Sequence, residues 1–276
     1  MIIKRKYLYG FIMSCIIIAV LLVAFSSRLV LRRYTVSSKK ITSRIRIVHI
    51  SDLHSQYYGE DQGELIYAIQ HEDPDIIVLT GDILDKRGEC DAIRSLILQI
   101  VPTYPCYYVT GNHEYDIDNI AGVKESLEHL GVEVLSGDCL SLMIGENVID
   151  ICGIDDPSVG NDEWQHQLES CYSQKNKDHF SLLLSHRPER VNAYKSYPFD
   201  LILSGHAHGG QVRIPRLING LFAPNQGFFP KYAGGLYKLS NGTLIVSRGL
   251  KRSLIPRIFN PPELVTVDIV PDNTNP

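Results

Sequence analysis

Seven side chains able to hold metal ions follow short apolar runs: Asp52 and His54, Asp82, Asn112, His186, and His206 with His208. The run 45–50 ends in Ser51-Asp52-Leu53-His54, and the run 76–79 leads into Gly81-Asp82. The run 107–110 ends in Gly111-Asn112-His113-Glu114. Two later runs end in Ser185-His186 and in Gly205-His206-Ala207-His208. Carboxylate and amide oxygens mixed with imidazole suit Mn, Fe, Zn or Co, rather than Ca or a thiolate-bound metal. If Asp52-Leu53-His54 and His206-Ala207-His208 are extended, alternation puts the outer side chains of each trio on one side, where each pair can grip metal as a unit. Glycines 81, 111 and 205 permit a tight turn directly after a strand and close approach of backbone to an ion or phosphate.

The elements that must position these groups read as an α/β alternation. Strands are expected at 45–50, 76–79 and 107–110, with helices around 60–70, 91–99 and 119–129. That order predicts an α/β domain with a partly parallel sheet. From Val132 onward strands dominate, at 148–152, 181–184, 201–203, 236–239, 243–246 and 264–270, with one helix around 163–171. No internal repeat is present, and low complexity is confined to the basic linker and the PDNTNP tail. In open α/β sheets ligands collect where loops leave the carboxyl ends of strands, so clusters spread from Asp52 to His208 can meet in one place.

Composition narrows the partners. The 276 residues are 44% apolar and 21% charged, ordinary for a chain with a real core, and carry a net charge of −4. That balance argues against nucleic acid, which needs a basic face. The charge is uneven: the first 46 positions are basic, and the stretch from Asp52 to Asp162 is acidic. Six cysteines occur, at 15, 90, 106, 139, 152 and 171, with no C-x-x-C spacing. A zinc–thiolate site and a disulfide framework are both disfavoured, and free, largely buried thiols are expected.

Residues 7–25 contain no charge and are flanked by Lys4-Arg5-Lys6 and by Arg28, Arg32 and Arg33. As a helix this stretch would reach about 28 Å, close to the hydrocarbon thickness of a bilayer. It exceeds the apolar core of a cleaved signal peptide and ends in a poor cleavage site, so an uncleaved transmembrane anchor is the expectation. Residues 1–28 are thus read as the anchor, 29–43 as a basic juxtamembrane linker against anionic headgroups, and 44–276 as the soluble domain. Six basic residues after the segment against three before it favour a cytoplasmic domain, whereas the short basic start resembles a signal anchor.

The blocks D-x-H, G-D, G-N-H-E, H and G-H-x-H, in that order between Ile47 and His208, resemble the calcineurin-like metallophosphoesterases. GHAHGGQVRIP, KYAGGLY and PRIFNPPEL are similar to a membrane-anchored bacterial branch of YkuE- and YaeI-type phosphodiesterases. The resemblance implies a β-sandwich of two mixed sheets flanked by helices, behind one N-terminal transmembrane helix. It implies Asp52, His54 and His208 on one divalent metal, Asn112, His186 and His206 on a second, and Asp82 bridging both, with manganese the foremost candidate. A hydroxide between the ions would attack phosphorus in line, and His113 would donate a proton to the leaving group or contact the phosphate. The implied partners are a phosphorylated small molecule or a lipid-linked substrate, such as a UDP-diacylglucosamine, together with the membrane. The chain departs from the family at Gly249-Leu250-Lys251-Arg252, where relatives are richer in glycine. Those bases, with Arg248 and Arg257, read either as contacts for a diphosphate or lipid headgroup, or as solvated charge.

Plainer roles fall to other residues. His49, His71, His129, His166 and His179 are expected to be surface or locally hydrogen-bonded, with His49 on the strand that leads to Asp52 and within reach of a supporting role. Asp85 and Glu114 fit supports that orient ligands. Asp155-Asp156 fits a turn or a helix cap, and Trp164 the core face of a helix. A metal-bound but catalytically silent protein is the competing class; it would be expected to lack a ligand or the proton donor, and none is missing. A metal-dependent amide hydrolase is disfavoured, because no H-E-x-x-H spacing occurs.

Overall fold

Along Ile47-Val48-His49-Ile50 the apolar side chains are shared between two different cores, which is why such strands read as nearly unbroken apolar runs. The computed structural model describes residues 2–85, 90–252 and 256–272. In chain order the elements are α1 (Ile2–Ala24), β1 (Val30–Ser38), β2 (Ile45–Ile50), α2 (Gly63–Glu72), β3 (Ile76–Thr80), α3 (Asp91–Ile100) and β4 (Cys106–Val109). There follow α4 (Ile120–His129), β5 (Glu133–Val134), β6 (Asp138–Ile144), β7 (Asn147–Gly153), α5 (Asn161–Gln174), β8 (Phe180–Leu184), α6 (Val191–Ser196) and β9 (Leu201–Ser204). The last are a small hairpin of β10 (Phe222–Ala223) and β11 (Gly227–Phe228), then β12 (Gly235–Leu239), β13 (Gly242–Val246) and β14 (Glu263–Pro271).

Two mixed six-stranded sheets form, ordered β1-β14-β2-β3-β4-β5 and β12-β13-β9-β8-β7-β6. In the first, β2 to β5 run parallel; in the second, β7, β8, β9 and β13 do. Ile47, Val78 and Val267 of the first sheet meet Ile151, Leu182 and Leu203 of the second in a central core. The outer face of the first sheet packs on α2, α3 and α4 through Leu65, Leu96 and Leu127. That of the second packs on α5 and α6 through Trp164, Leu168 and Tyr194. The expected α/β sandwich of two mixed sheets flanked by helices is therefore present. Ahead of it, α1 is long and apolar enough to cross a membrane, and its side chains from Tyr7 to Val23 are exposed.

Two expectations are corrected. Residues 29–43 are not a linker, because Val30–Ser38 pairs residue for residue with Glu263–Pro271 as the edge strand β1. Its charges hid it. Arg32 and Arg33 are exposed on an edge, where charge is tolerated, and the Arg33 Nε donates to Glu72 at 2.7 Å. The second correction concerns the cysteines: Cys139 and Cys152 stand directly opposite in the β6–β7 ladder, with Cα atoms 4.0 Å apart, and are joined as a disulfide. Their 13-residue separation pairs them only once β6 is known to fold back on β7. Cys106 and Cys171 are buried free thiols, while Cys15 and Cys90 are exposed. Of the PDNTNP tail, residues 273–276 lie outside the described residues.

Candidate metal centre

The parallel strands β2, β3 and β4 of one sheet and β8 and β9 of the other deliver their carboxyl ends to one place. There Asp52 N–H donates to Gly81 O at 3.1 Å, His54 N–H to Asp82 O at 3.0 Å, and Gly205 N–H to His186 O at 3.1 Å, lacing the loops together. Glycine is required where these backbones touch. A Cβ on Gly111 would collide with the Asp82 backbone nitrogen, and one on Gly249 would lie 2.6 Å from the Asp52 Cβ.

The reason Asp52 and His54 share a site is not extended alternation. Both adopt positive φ, 52° and 50°, as do Asp82 (50°), His206 (65°) and His208 (45°). Asp and His tolerate this region better than most residues, yet each costs of order 1–3 kcal/mol and persists only where surrounding bonds over-determine it. Nor do His206 and His208 act as one pair. The ligand-capable atoms of Asp52, His54, Asp82 and His208 lie within 4.8 Å of one another, and those of Asp82, His186 and His206 form a second such group. Asp82 belongs to both, and Asn112 lines the same cavity.

The donors fit divalent ions. Both ring nitrogens of His54 and the Asn112 Oδ1 are buried and make no hydrogen bond among the described residues. His186 Nδ1 donates to Thr80 O at 2.7 Å, which turns its Nε2 inward, 3.3 Å from Asp82 Oδ2. Burial pushes His54 and His206 down to about 3 and His208 well below its ordinary range, so all three are neutral imidazoles. Burial, offset by His186 and reinforced by Asp82, holds Asp52 up to about 6. His186 shows the opposite. Burial opposes its charge, but Asp82, Asp52 and Asp156 together push it up to about 10. The site thus gathers negative charge that wants a cation, and a proton on His186 stands where a metal would serve.

Supports surround the cluster. Glu114 is fully buried and accepts from the backbone N–H groups of Asp82 and Gly111 on one oxygen and of Ile83 and Leu84 on the other, at 2.8–3.0 Å. Burial and then Asp82 hold Glu114 up to about 7, against those donors. His49, also fully buried, lies 2.7 Å from the Thr80 hydroxyl, consistent with its place on the strand before Asp52. His113 Nε2 is 3.9 Å from Asp82 Oδ2, and its Nδ1 is 4.0 Å from carboxylate oxygens of both Asp85 and Asp116. Asp156 caps the turn at Ser158, as expected of a cap, but it also grips Arg187 through two bonds of 2.5 and 3.0 Å. Trp164 is buried on the core face of α5.

Two functional candidates carried no sequence signal. Arg187 and Asn225 line the roughly 190 Å³ cavity over the candidate ligand cluster, with Arg187 Nη1 donating to Asn225 Oδ1 at 2.5 Å. His206 Nε2 lies 3.0 Å from Arg187 Nη1 and 2.8 Å from Asn225 Oδ1; a neutral ring nitrogen can serve only one of these. Each is a lone residue, and only the adjacency of Arg187 to His186 in the chain points to it. Conversely, Arg248 and Arg257 are buried rather than solvated charge. Arg257 donates to the carbonyls of Arg248 and Lys251 and holds the loop that covers Asp52. A larger hollow between α3 and α4, lined mostly by apolar groups such as Leu84, Ile93 and Val123, holds none of the cluster.

The calcineurin-like phosphoesterase profile matches residues 45–210, which contain every candidate ligand. The chain is 30% identical to the uncharacterized metallophosphoesterase YkuE of Bacillus subtilis over 235 residues, 83% of this chain and 80% of that one. It is 25% identical to the phosphodiesterase YaeI of Escherichia coli, covering 82% of each. Among solved structures, TT1561 of Thermus thermophilus superposes with a TM-score of 0.51 at 13% identity, over 76% of this chain and 91% of that one, which is a likeness of fold. The chain belongs to the calcineurin-like phosphoesterase family, hydrolases of phosphoester bonds, and carries a His/Asp cluster able to hold metal.

Proposed function

We propose that the chain is a membrane-anchored phosphodiesterase or diphosphatase that uses two divalent ions, manganese foremost, on a lipid-linked substrate. The observation that carries the reading is a pair of ligand groups sharing one carboxylate, Asp82, beneath a cavity bounded by Arg187, Asn225 and His113. Two bound ions would supply an acidified water and neutralise charge developing on the phosphoryl oxygens. The protein's own groups do the rest. Asp52, His54 and His208 hold one ion, and Asn112, His186 and His206 the other. Arg187, fixed by Asp156, presents a guanidinium to a non-bridging phosphoryl oxygen. His113, between Asp85 and Asp116, holds a proton for the leaving oxygen. The likeness to the phosphodiesterase YaeI supports the bond class, and α1 supports action at a bilayer surface. The excess of basic residues after α1 supports a cytoplasmic domain.

The test is hydrolysis of bis-p-nitrophenyl phosphate with added manganese. His208→Ala is expected to lose at least about a hundredfold, since even residues behind a ligand cost 10–100-fold. Full activity in His208→Ala would rule out this site. Arg187→Ala is expected to lower kcat/KM about a hundredfold, the loss typical of one transition-state donor, with bound metal unchanged. An unaltered kcat/KM would remove Arg187 from the mechanism.

A further inference from the structure

Between Asp200 and Glu263 the chain has no acidic residue and eight Lys or Arg, a basic bias shared with the first 46 positions and opposite to the acidic stretch from Asp52 to Asp162. Inside that stretch the segment 212–229 gathers five exposed large apolar side chains: Leu217 (81% exposed), Phe228 (72%) and Phe229 (67%), joined by Phe222 and Ile214. Among the described residues outside α1, no segment of that length carries as many. Phe222 and Phe228 stack edge to face across the β10–β11 hairpin, with ring centroids 5.4 Å apart. Arg216 and Lys231 are exposed at its margins.

This apolar surface starts where α1 leaves the domain. The Phe259 N–H donates to the last carbonyl of α1, Ala24 O, at 2.7 Å. The next residue back, Ile258, bridges to Val212: Arg213 N–H donates to Ile258 O at 2.9 Å and Ile258 N–H to Gln211 O at 3.2 Å. The same hairpin also reaches the metal cavity, because Pro224 and Asn225 line it and Asn225 Oδ1 lies 2.8 Å from His206 Nε2. One short segment therefore links the foot of the helix, an exposed phenylalanine cluster and a candidate ligand.

We propose that the segment 212–229 seats its phenylalanines and Leu217 in the bilayer interface beside α1, so that the metal cavity opens onto lipid headgroups. The proposal rests on the reading of α1 as a membrane anchor. Apolar tips rimmed by Arg and Lys, without acidic neighbours, are what an anionic bilayer surface takes up. An occupant covering this face from solution would have no reason to begin at the foot of α1. Seating of Phe222 and Phe228 fixes the hairpin that carries Asn225, and so holds the cavity wall at headgroup depth.

The test uses the full chain in phosphatidylcholine–phosphatidylglycerol vesicles made with or without brominated acyl chains. The chain's single tryptophan, Trp164, is buried in α5 packing and supplies the internal baseline. Phe228→Trp should add emission that brominated lipid quenches about twofold or more, as for a ring about 5–10 Å into the interface. Phe229→Trp repeats the measurement outside the Phe222–Phe228 ring contact. Quenching no greater than that of wild type at both positions, in protein that resists alkaline carbonate extraction, overturns the docking and leaves the anchor standing. Extraction by carbonate overturns the anchor and the docking together. Emission shifted to the blue with protein density, but insensitive to bromine, means a second copy covers the face and also overturns it. None of these readouts needs turnover, so failure to find a lipid substrate is a separate result.

Discussion

Asp82→Asn should yield a folded protein that binds at most one metal ion and loses phosphodiesterase activity by about a thousandfold or more, roughly 4 kcal/mol of barrier. Asp82 is the one side chain common to both ligand groups. Its Oδ1 accepts from the His113 N–H at 2.8 Å, while Oδ2 lies 3.3 Å from His186 Nε2 and 3.8 Å from His54 Nε2. Asparagine can keep the first bond with its carbonyl, so the backbone has little reason to move. Its amide NH₂ must then face the ion positions, where it can neither ligate nor neutralise. Two divalent ions held by these neighbouring groups would repel each other strongly, because their charges multiply to four times that of a unit pair. Without the shared carboxylate nothing central offsets that. The check is metal content together with a melt in manganese: wild type should be stabilised by bound ion and Asp82→Asn much less so. Two equivalents of metal or undiminished turnover in the variant would sink the assignment.

The site is legible in sequence because of how this fold is built. Strands covered on both faces read as apolar runs, and their ends stand out where Asp82, Asn112 or His186 interrupts them. What does not show there has a different cause in each case. β1 is hidden by Arg32 and Arg33, which an edge strand can turn to solvent. β6 alternates with one exposed side, and its partner becomes known only through the hairpin that also joins Cys139 to Cys152. The short α6 carries too few turns for a period to show. The backbone at Asp52 and His208 departs from the extended expectation because positive φ there is imposed by bonds from neighbouring loops, not by local propensity. Arg187 is held at the cavity by Asp156, 31 positions earlier, and by Asn225, 38 positions later, partners that the local sequence does not show.

Glu114→Gln should damage stability and turnover together without removing any candidate metal ligand. The carboxylate receives four backbone N–H groups, two on each oxygen, from the turn that carries Asp82 and from Gly111. Glutamine keeps one acceptor oxygen and replaces the other with NH₂. Two buried N–H donors then face a third donor, at roughly 1–3 kcal/mol for each group left unpaired. At about 2–4 °C per kcal/mol for a domain of this size, the melting temperature should fall by roughly 5–20 °C. So many donors on one buried side chain also argue that Glu114 works as a carboxylate, although burial and Asp82 hold it up to about 7. Cations held by Asp82 would remove the like-charge part of that rise. Activity at a temperature where the variant remains folded should fall about 10–100-fold through misplacement of Asp82, with weaker manganese binding. A melting temperature and turnover both within error of wild type would show that the turn holds Asp82 without Glu114. A lowered melting temperature with intact turnover would make Glu114 a purely structural brace.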